Sequence, residues 1–259
     1  MLGCTMAART PRLYVLPGSH PCAAVEAALR LKAIDYDRVD LLPMSQLLIG
    51  PLRYGGSTVP GLRLDGERLV GSRAIMRRLD ALAPDPPLLP AIGSPSYAQV
   101  LEAERWGDEV LQSVPRRIID AAFLRRPAAM LSYAGEAKLP LPVGMMAPAA
   151  PLTARLMAIR NKARDEAARA DVAALGSMLD RIDGWIADGL LGGDQPNAAD
   201  LQIGSTIRLL QSIGDIRPLI DGPPARPAAQ LTRYFPPMVG EVPAGVLPAD
   251  WLPAGAGAR

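Results

Sequence analysis

Over the first 83 residues the sequence changes period every dozen positions, and afterwards it is helical almost throughout. Arg12 to Leu16 (RLYVL) is a short apolar run bounded by Pro11 and Pro17-Gly18, which predicts a strand. Cys22 to Ala33 is rich in Ala and Leu, with Val25, Ala28, Leu29 and Leu31 at helical spacing. Asp37 to Leu42 reads as a second strand, and Met44 to Tyr54 is ambiguous. Gly61 to Asp65 and Glu67 to Val70 form a hairpin pattern around an Asp65-Gly66 turn. Ser72 to Leu82 is a helix with Ser72 as its N-cap. Strand, helix, strand, then hairpin and helix predict a mixed sheet, because the first crossover favours a parallel pair and the hairpin adds antiparallel strands.

Pro84, Pro86, Pro87 and Pro90 make a stiff linker. Beyond it, Ser96 to Phe123 reads as a helix kinked at Pro115, and Thr153 to Asp188 as one long amphipathic helix ended by Gly192-Gly193. Ala198 to Gln211 is a further helix, opened by Asn197 with Asp200 three residues on, the form of a capping box. Leu124 to Pro151, with its Met145-Met146 pair, shows no clear period. Within it, Leu139 to Pro151 is longer than an ordinary helix connection, and reads as an ordered surface excursion or as the cover of an apolar site. From Pro218 onward Pro and Gly dominate, and no secondary structure is expected. The expected units are a mixed α/β domain at 10–83, an all-helical domain at 95–215 and a Pro/Gly-rich tail at 216–259.

With 259 residues, 49% of them hydrophobic, the chain can bury a sizeable core. No uncharged apolar run of spanning length predicts a membrane helix. A formal charge of +2 gives no reason to expect nucleic acid or an acidic membrane surface as a partner. Two cysteines, Cys4 and Cys22, cannot form a disulfide framework, which points to a reducing compartment. A single histidine, His20, excludes a multi-histidine metal site. Met1 to Pro11 does not read as a signal peptide, and Cys4 falls in what is expected to be a frayed terminus.

Four segments carry a family resemblance: Leu13 to Cys22 (LYVLPGSHPC), Thr58 to Leu62 (TVPGL), Gly71 to Ile75 (GSRAI) and Asn197 to Leu201 (NAADL). In order and spacing they resemble the glutathione transferases, over roughly residues 12 to 215. The resemblance implies a thioredoxin-like domain followed by an all-helical domain, glutathione as co-substrate without a tightly bound cofactor or metal, a homodimer and a cytoplasmic setting.

Ser19 precedes a predicted helix, where unpaired N–H groups and the positive end of the dipole favour an anion. Ionising a thiol of pKa about 8.5 at neutral pH takes about 2 units, roughly 2.7 kcal/mol. The dipole supplies about 0.3–2 kcal/mol and one hydrogen bond to a charged acceptor about 1.5–3 kcal/mol. A serine hydroxyl at a helix start is therefore enough, and the other reading of Ser19 is a simple cap. The resemblance implies the catalytic role, since serine-type members keep their hydroxyl in this slot. It further implies that Val59, before Pro60 in a cis turn, pairs its backbone with the cysteinyl part of glutathione, and that Ser72 receives the γ-glutamyl carboxylate.

Thr58 stands where the family often has lysine, and Gly71 where it often has an acid. Arg53 or Arg73 are the candidates to compensate. His20 can donate to a ligand carboxylate, although exposure in the loop is the plainer expectation. In Ser19-x-x-Cys22 the first cysteine of a redox motif is replaced, so dithiol cycling is not expected and Cys22 reads as a small buried apolar residue. Tyr14, one position off the tyrosine-type slot that Val15 fills, reads as structural. Trp106 is expected at the hydrophobic substrate site and Trp185 in the core. The function expected is conjugation of the glutathione thiolate to a small apolar electrophile. The alternatives are a catalytically silent binding module, motivated by Thr58 and Gly71, and glutathione-dependent reduction or isomerisation.

Overall fold

The structure is a computed structural model that describes residues 10–135 and 137–253; Cys4 and most of the expected frayed terminus lie outside them. Four strands, β1 (Arg12–Val15), β2 (Asp37–Asp40), β3 (Gly61–Leu64) and β4 (Glu67–Val70), form one sheet in the order β2-β1-β3-β4. β1 pairs parallel with β2 and antiparallel with β3, and β3 pairs antiparallel with β4. This is the mixed sheet of a thioredoxin-like domain. The hairpin turns on Asp65 (φ 48°) and Gly66 (φ 88°), both left-handed, as a tight two-residue turn requires.

Alternation along β1 divides the core. Leu13 and Val15 point to one face, where α1 (His20–Leu31) and α3 (Ser72–Leu82) bury Val25, Leu29, Ile75 and Leu79 against them. Tyr14 points to the other face and packs on Tyr54, 5.1 Å between ring centroids, at the end of α2 (Gln46–Arg53). Tyr14 is structural, as its register predicts. The ambiguous stretch is thus a helix. At the far end of α1, the buried Lys32 ammonium donates to Asp80 and to the carbonyls of Ala83 and Pro86, all at 2.6 Å, and so ties the linker to the sheet domain.

The second domain is helical: α4 (Pro95–Trp106), α5 (Ser113–Arg125), α6 (Ala129–Ser132), α7 (Ala150–Asn161), α8 (Asp165–Ala187), α9 (Ala198–Gln211) and α10 (Pro218–Asp221). Three expectations are corrected. The irregularity foreseen at Pro115 lies upstream, in a π-turn over Gly107–Leu111 in which Gln112 N–H reaches back to the Gly107 carbonyl. Pro115 sits in the first turn of α5, where its missing N–H is tolerated. The segment expected as one helix from Thr153 to Asp188 is two, parted where Lys162 takes a left-handed conformation (φ 54°); the acidic pair Asp165-Glu166 opens α8. The Pro/Gly-rich segment after residue 216 is ordered. It lacks a period but not apolar residues, and Ile220, Leu231, Phe235, Val242, Leu247 and Trp251 are buried. Asp215 fastens it, accepting the N–H groups of Gly245, Val246 and Leu247 at 2.6–3.0 Å.

The box at α9 forms as its sequence predicts. Asn197 Oδ1 accepts from the N–H groups of Ala199 and Asp200, and Asp200 Oδ2 accepts from Asn197 N–H. Ala198 and Leu201 of this helix enter the core of the sheet domain, together with Phe235, so the two domains share apolar packing.

Candidate functional site at the domain junction

A cavity of about 440 Å³ opens where the β1–α1 loop faces α5, α7 and the 139–150 segment. Leu16 to His20 form one wall, with Thr58 and Val59 beside them. Gly18 (φ 74°) lies so close to Tyr133 that a Cβ there would meet the ring at 2.8 Å. Gly240, in the C-terminal segment, packs against the same ring, and the Tyr133 hydroxyl is bonded to Ser212 at 2.7 Å. The loop bearing Ser19 is therefore seated on the helical domain.

Ser19 is the N-cap residue of α1, yet its hydroxyl makes no capping bond. It is half-buried and lines the cavity. Its backbone is held by Ser19 N–H to the Leu16 carbonyl at 3.1 Å. Pro21 has no N–H, so the first turn of α1 offers the N–H groups of His20 and Cys22. Cys22 is 1% exposed, and burial pushes its thiol up to about 12, with a hydrogen bond from Ser19 only partly opposing it. It is an inert thiol at neutral pH, as the sequence suggests.

Four of the positions expected to bind glutathione come together at this wall: Ser19, His20, Thr58 and Val59. The Val59–Pro60 peptide is cis, and neither backbone group of Val59 has a partner among the described residues. His20 is corrected: it is not loop-exposed but 2% exposed, as the first residue of α1. Burial first, and then the Arg116 charge, hold its pKa well below the usual value; the ring is neutral and its Nε2 has no partner.

Ser72 is also corrected. The N-cap of α3 is Gly71 (φ 90°), and the Ser72 hydroxyl, buried, donates to Gln202 Oε1 at 2.8 Å. Arg73 faces Glu109 at 3.3 Å and Glu104 at 3.6 Å, so carboxylates across the domain boundary engage it. Pro60, Ser72 and Arg73 do not line the cavity, and neither does Trp106. The Trp106 ring packs edge-on against Trp185 at 5.3 Å, and the Arg181 guanidinium lies over both. The apolar walls come instead from Ile119, Phe123, Met130 and Met157, and from Leu139, Leu141, Met145 and Met146 of the segment expected as a surface excursion.

Sequence reasoning missed a polar stripe on α5. Gln112, Arg116 and Asp120 stand four residues apart, so one helix face carries all three, and Arg116 and Asp120 line the cavity. That i, i+4, i+8 spacing was the signal. Asp120 is 1% exposed; Asn161 Nδ2 donates to its Oδ2 at 2.7 Å, and Oδ1 has no partner. Burial outweighs Asn161 and Arg116 and lifts its carboxyl to about 7. Among the described residues no cluster of three or more His, Cys, Asp or Glu is placed to hold a metal, and no helix is long and apolar enough to cross a membrane.

A thioredoxin-like sheet domain with a helical domain closing over the start of its first helix defines a two-domain, transferase-type architecture. Residues 13–87 match the family described as glutathione S-transferase, N-terminal domain. Solved structures with the same fold include a glutathione S-transferase from Rhodospirillum rubrum, 21% identical, covering 87% of this chain and 86% of that one with a TM-score of 0.55. A maleylacetoacetate isomerase from Anaeromyxobacter dehalogenans, with dicarboxyethyl glutathione and citrate in its active site, is 19% identical over 87% of this chain and 89% of that one, TM-score 0.53. A beta-etherase from Sphingobium is 19% identical over 87% and 98%, TM-score 0.60. No curated protein matches the sequence.

Proposed function

We propose that the protein is a glutathione transferase-like enzyme that joins the glutathione thiolate to a small electrophile with an apolar body. The observation that carries this reading is Ser19. Its hydroxyl makes no capping bond, its one partner among the described residues is the Cys22 thiol, from which it must turn to reach a bound sulfur, and the residue lines a cavity that both domains share. With the thiolate at the start of α1, the hydroxyl donates to sulfur, and the N–H groups of His20 and Cys22 add their dipoles. The open backbone of Val59 receives the cysteinyl backbone as an added strand. Because the Ser72 hydroxyl is held by Gln202, the γ-glutamyl carboxylate is met by the free N–H groups of the first turn of α3 and not by that side chain. A cavity of about 440 Å³ lies in the usual range for a small-molecule site. The thiolate attacks the electrophilic carbon, and the leaving group departs with the bonding pair or, for an activated alkene, a proton from solvent completes the addition.

The named neighbours support a glutathione-using site on this fold. The reading also takes the working unit to be a cytoplasmic homodimer, which sedimentation and cell fractionation test. The test of the chemistry is calorimetric titration with glutathione, followed by conjugation assays on wild type and Ser19→Ala. Loss of one charge-assisted hydrogen bond predicts about a 10- to 100-fold fall in kcat/KM with glutathione affinity little changed.

The second reading, a silent binding module, is favoured by the engagement of the Ser72 hydroxyl and by Thr58 and Gly71. Failure to bind glutathione at millimolar concentration selects it. Disulfide-reduction and cis-trans isomerisation assays on the same proteins separate the remaining activities.

A further inference from the structure

The cavity is not the purely apolar pocket that its methionines suggest. Its lining contains two guanidiniums, Arg116 and Arg160, and one carboxyl, Asp120. Arg160 stands exposed at the mouth, its Nη2 on the Ser57 carbonyl at 3.2 Å. Arg116 lies deeper, partly buried, with no carboxylate within 4 Å among the described residues; its hydrogen-bond partner is the Gln112 amide oxygen. Other arginines of α5 are matched: Arg117 grips Asp171 at 2.6 and 2.7 Å, and Arg125 meets Asp165 at 2.8 Å. A partly buried cation that feels Asp108 and Asp120 only from beyond 4 Å is incompletely compensated, and an anion in the cavity would complete it.

A second, independent observation lies beside it. His20 Nε2, Asp120 Oδ1 and Gln46 Oε1 are buried, without partners, and belong to residues that line this same cavity. Buried polar atoms are rarely left unpaired, so the cavity suits an occupant with a polar end. With His20 neutral and Asp120 able to keep its proton near neutrality, that end of the cavity is net positive and holds a carboxyl proton to give.

We infer that the second substrate is an apolar acid, whose carboxylate is received by the Arg116 guanidinium with Asp120 beside it and whose hydrocarbon body lies along the Met130, Met145 and Met157 wall. This rests on the reading of Ser19 as the seat of the thiolate, which leaves Arg116 for the other substrate. Arg116 donates to one carboxylate oxygen and the Asp120 hydroxyl donates to the other, while the Gln46 amide oxygen, an acceptor, is left for a donor elsewhere on the occupant.

The test titrates the full-length protein, at pH 6.5 with saturating glutathione, with 4-phenylbutyrate and with its neutral amide. The acid is expected to bind about tenfold or more tighter than the amide. Arg116→Gln is expected to bring the two within about threefold, and Arg116→Lys to keep part of the preference. Glutathione is titrated alone against the same proteins. Equal or absent binding of the acid and amide overturns the inference while a glutathione signal leaves the transferase reading standing. An acid preference without glutathione binding defeats the transferase reading and leaves the anion seat in place. Loss of glutathione binding in Arg116→Gln, with folding shown intact by circular dichroism, assigns Arg116 to the peptide's own anion and overturns the inference. Should that variant not fold, the comparison of acid and amide on wild type still decides.

Discussion

Replacing Asp120 by Asn should remove the fall in stability with rising pH that this carboxyl contributes, leaving the opposite slope of the buried His20. The carboxyl is 1% exposed with one oxygen unpartnered, and its value is raised to about 7, against about 3.9 in the unfolded chain. As pH rises, the unfolded chain gives up this proton first. Stability therefore falls between about pH 4 and pH 7 and levels off above that. Integrated between pH 5 and pH 8, a shift of about 3 units removes about 2.5 kcal/mol at 1.36 kcal/mol per unit. In Asp120→Asn the amide oxygen can still accept from Asn161, while the NH2 group takes the place of the unpartnered Oδ1 at a cost of roughly 1–2 kcal/mol at every pH. The diagnostic is thus the slope and not the offset. Urea unfolding of both proteins from pH 5 to pH 8 should show the gap closing, or reversing in favour of the variant, by about 2.5 kcal/mol, equivalent to roughly 5–10 °C in Tm for a chain of this size. Parallel profiles would refute the burial argument, and with it the claim that Asp120 keeps a proton at neutral pH.

Cys22, with a thiol at about 12, should react with iodoacetamide at mildly alkaline pH about a thousandfold more slowly in the native protein than in denaturant; mass spectrometry of its peptide reads this, and rapid native labelling would contradict the burial. Asn197→Ala should cost about 1 kcal/mol, the usual worth of a side-chain cap, measured by chemical unfolding. Asp200→Ala should cost more, about 2–4 kcal/mol, because Asp200 is buried where Asn197 is partly exposed, so water cannot replace the acceptor that the N–H groups of Gly192 and Asn197 lose; equal effects would show that burial does not set the cost.

What could be read in the sequence was local. Short runs between Pro and Gly gave the four strands, Asp65-Gly66 gave the hairpin, and Asn197 with Asp200 gave the start of α9, since each depends on residues within a few positions. The break at Lys162 escaped because a non-glycine residue takes the left-handed conformation there. The C-terminal segment escaped because proline content hides apolar residues that bury without a period. The placement of Ser19 and Val59 on the cavity wall was legible from a loop and a turn. Ser72 misled because its partner, Gln202, is 130 residues away. Trp106 misled because one helix cannot say which of its faces meets α8. Arg116 and Asp120 were legible in principle, as polar residues four apart on one face of α5, but that neither meets an opposite charge within 4 Å among the described residues appears only after the chain folds.

The ring of Tyr133 is held between Gly18 and Gly240, one from the Ser19 loop and one from the C-terminal wrap. Sequence change at these three positions is therefore coupled: a side chain at either glycine meets the ring of Tyr133, and its effect will not simply add to that of a change at 133. Residues more than a hundred positions apart act as a single hereditary unit, and a graft of the sheet domain onto a different helical partner must carry all three together to keep the serine where it is.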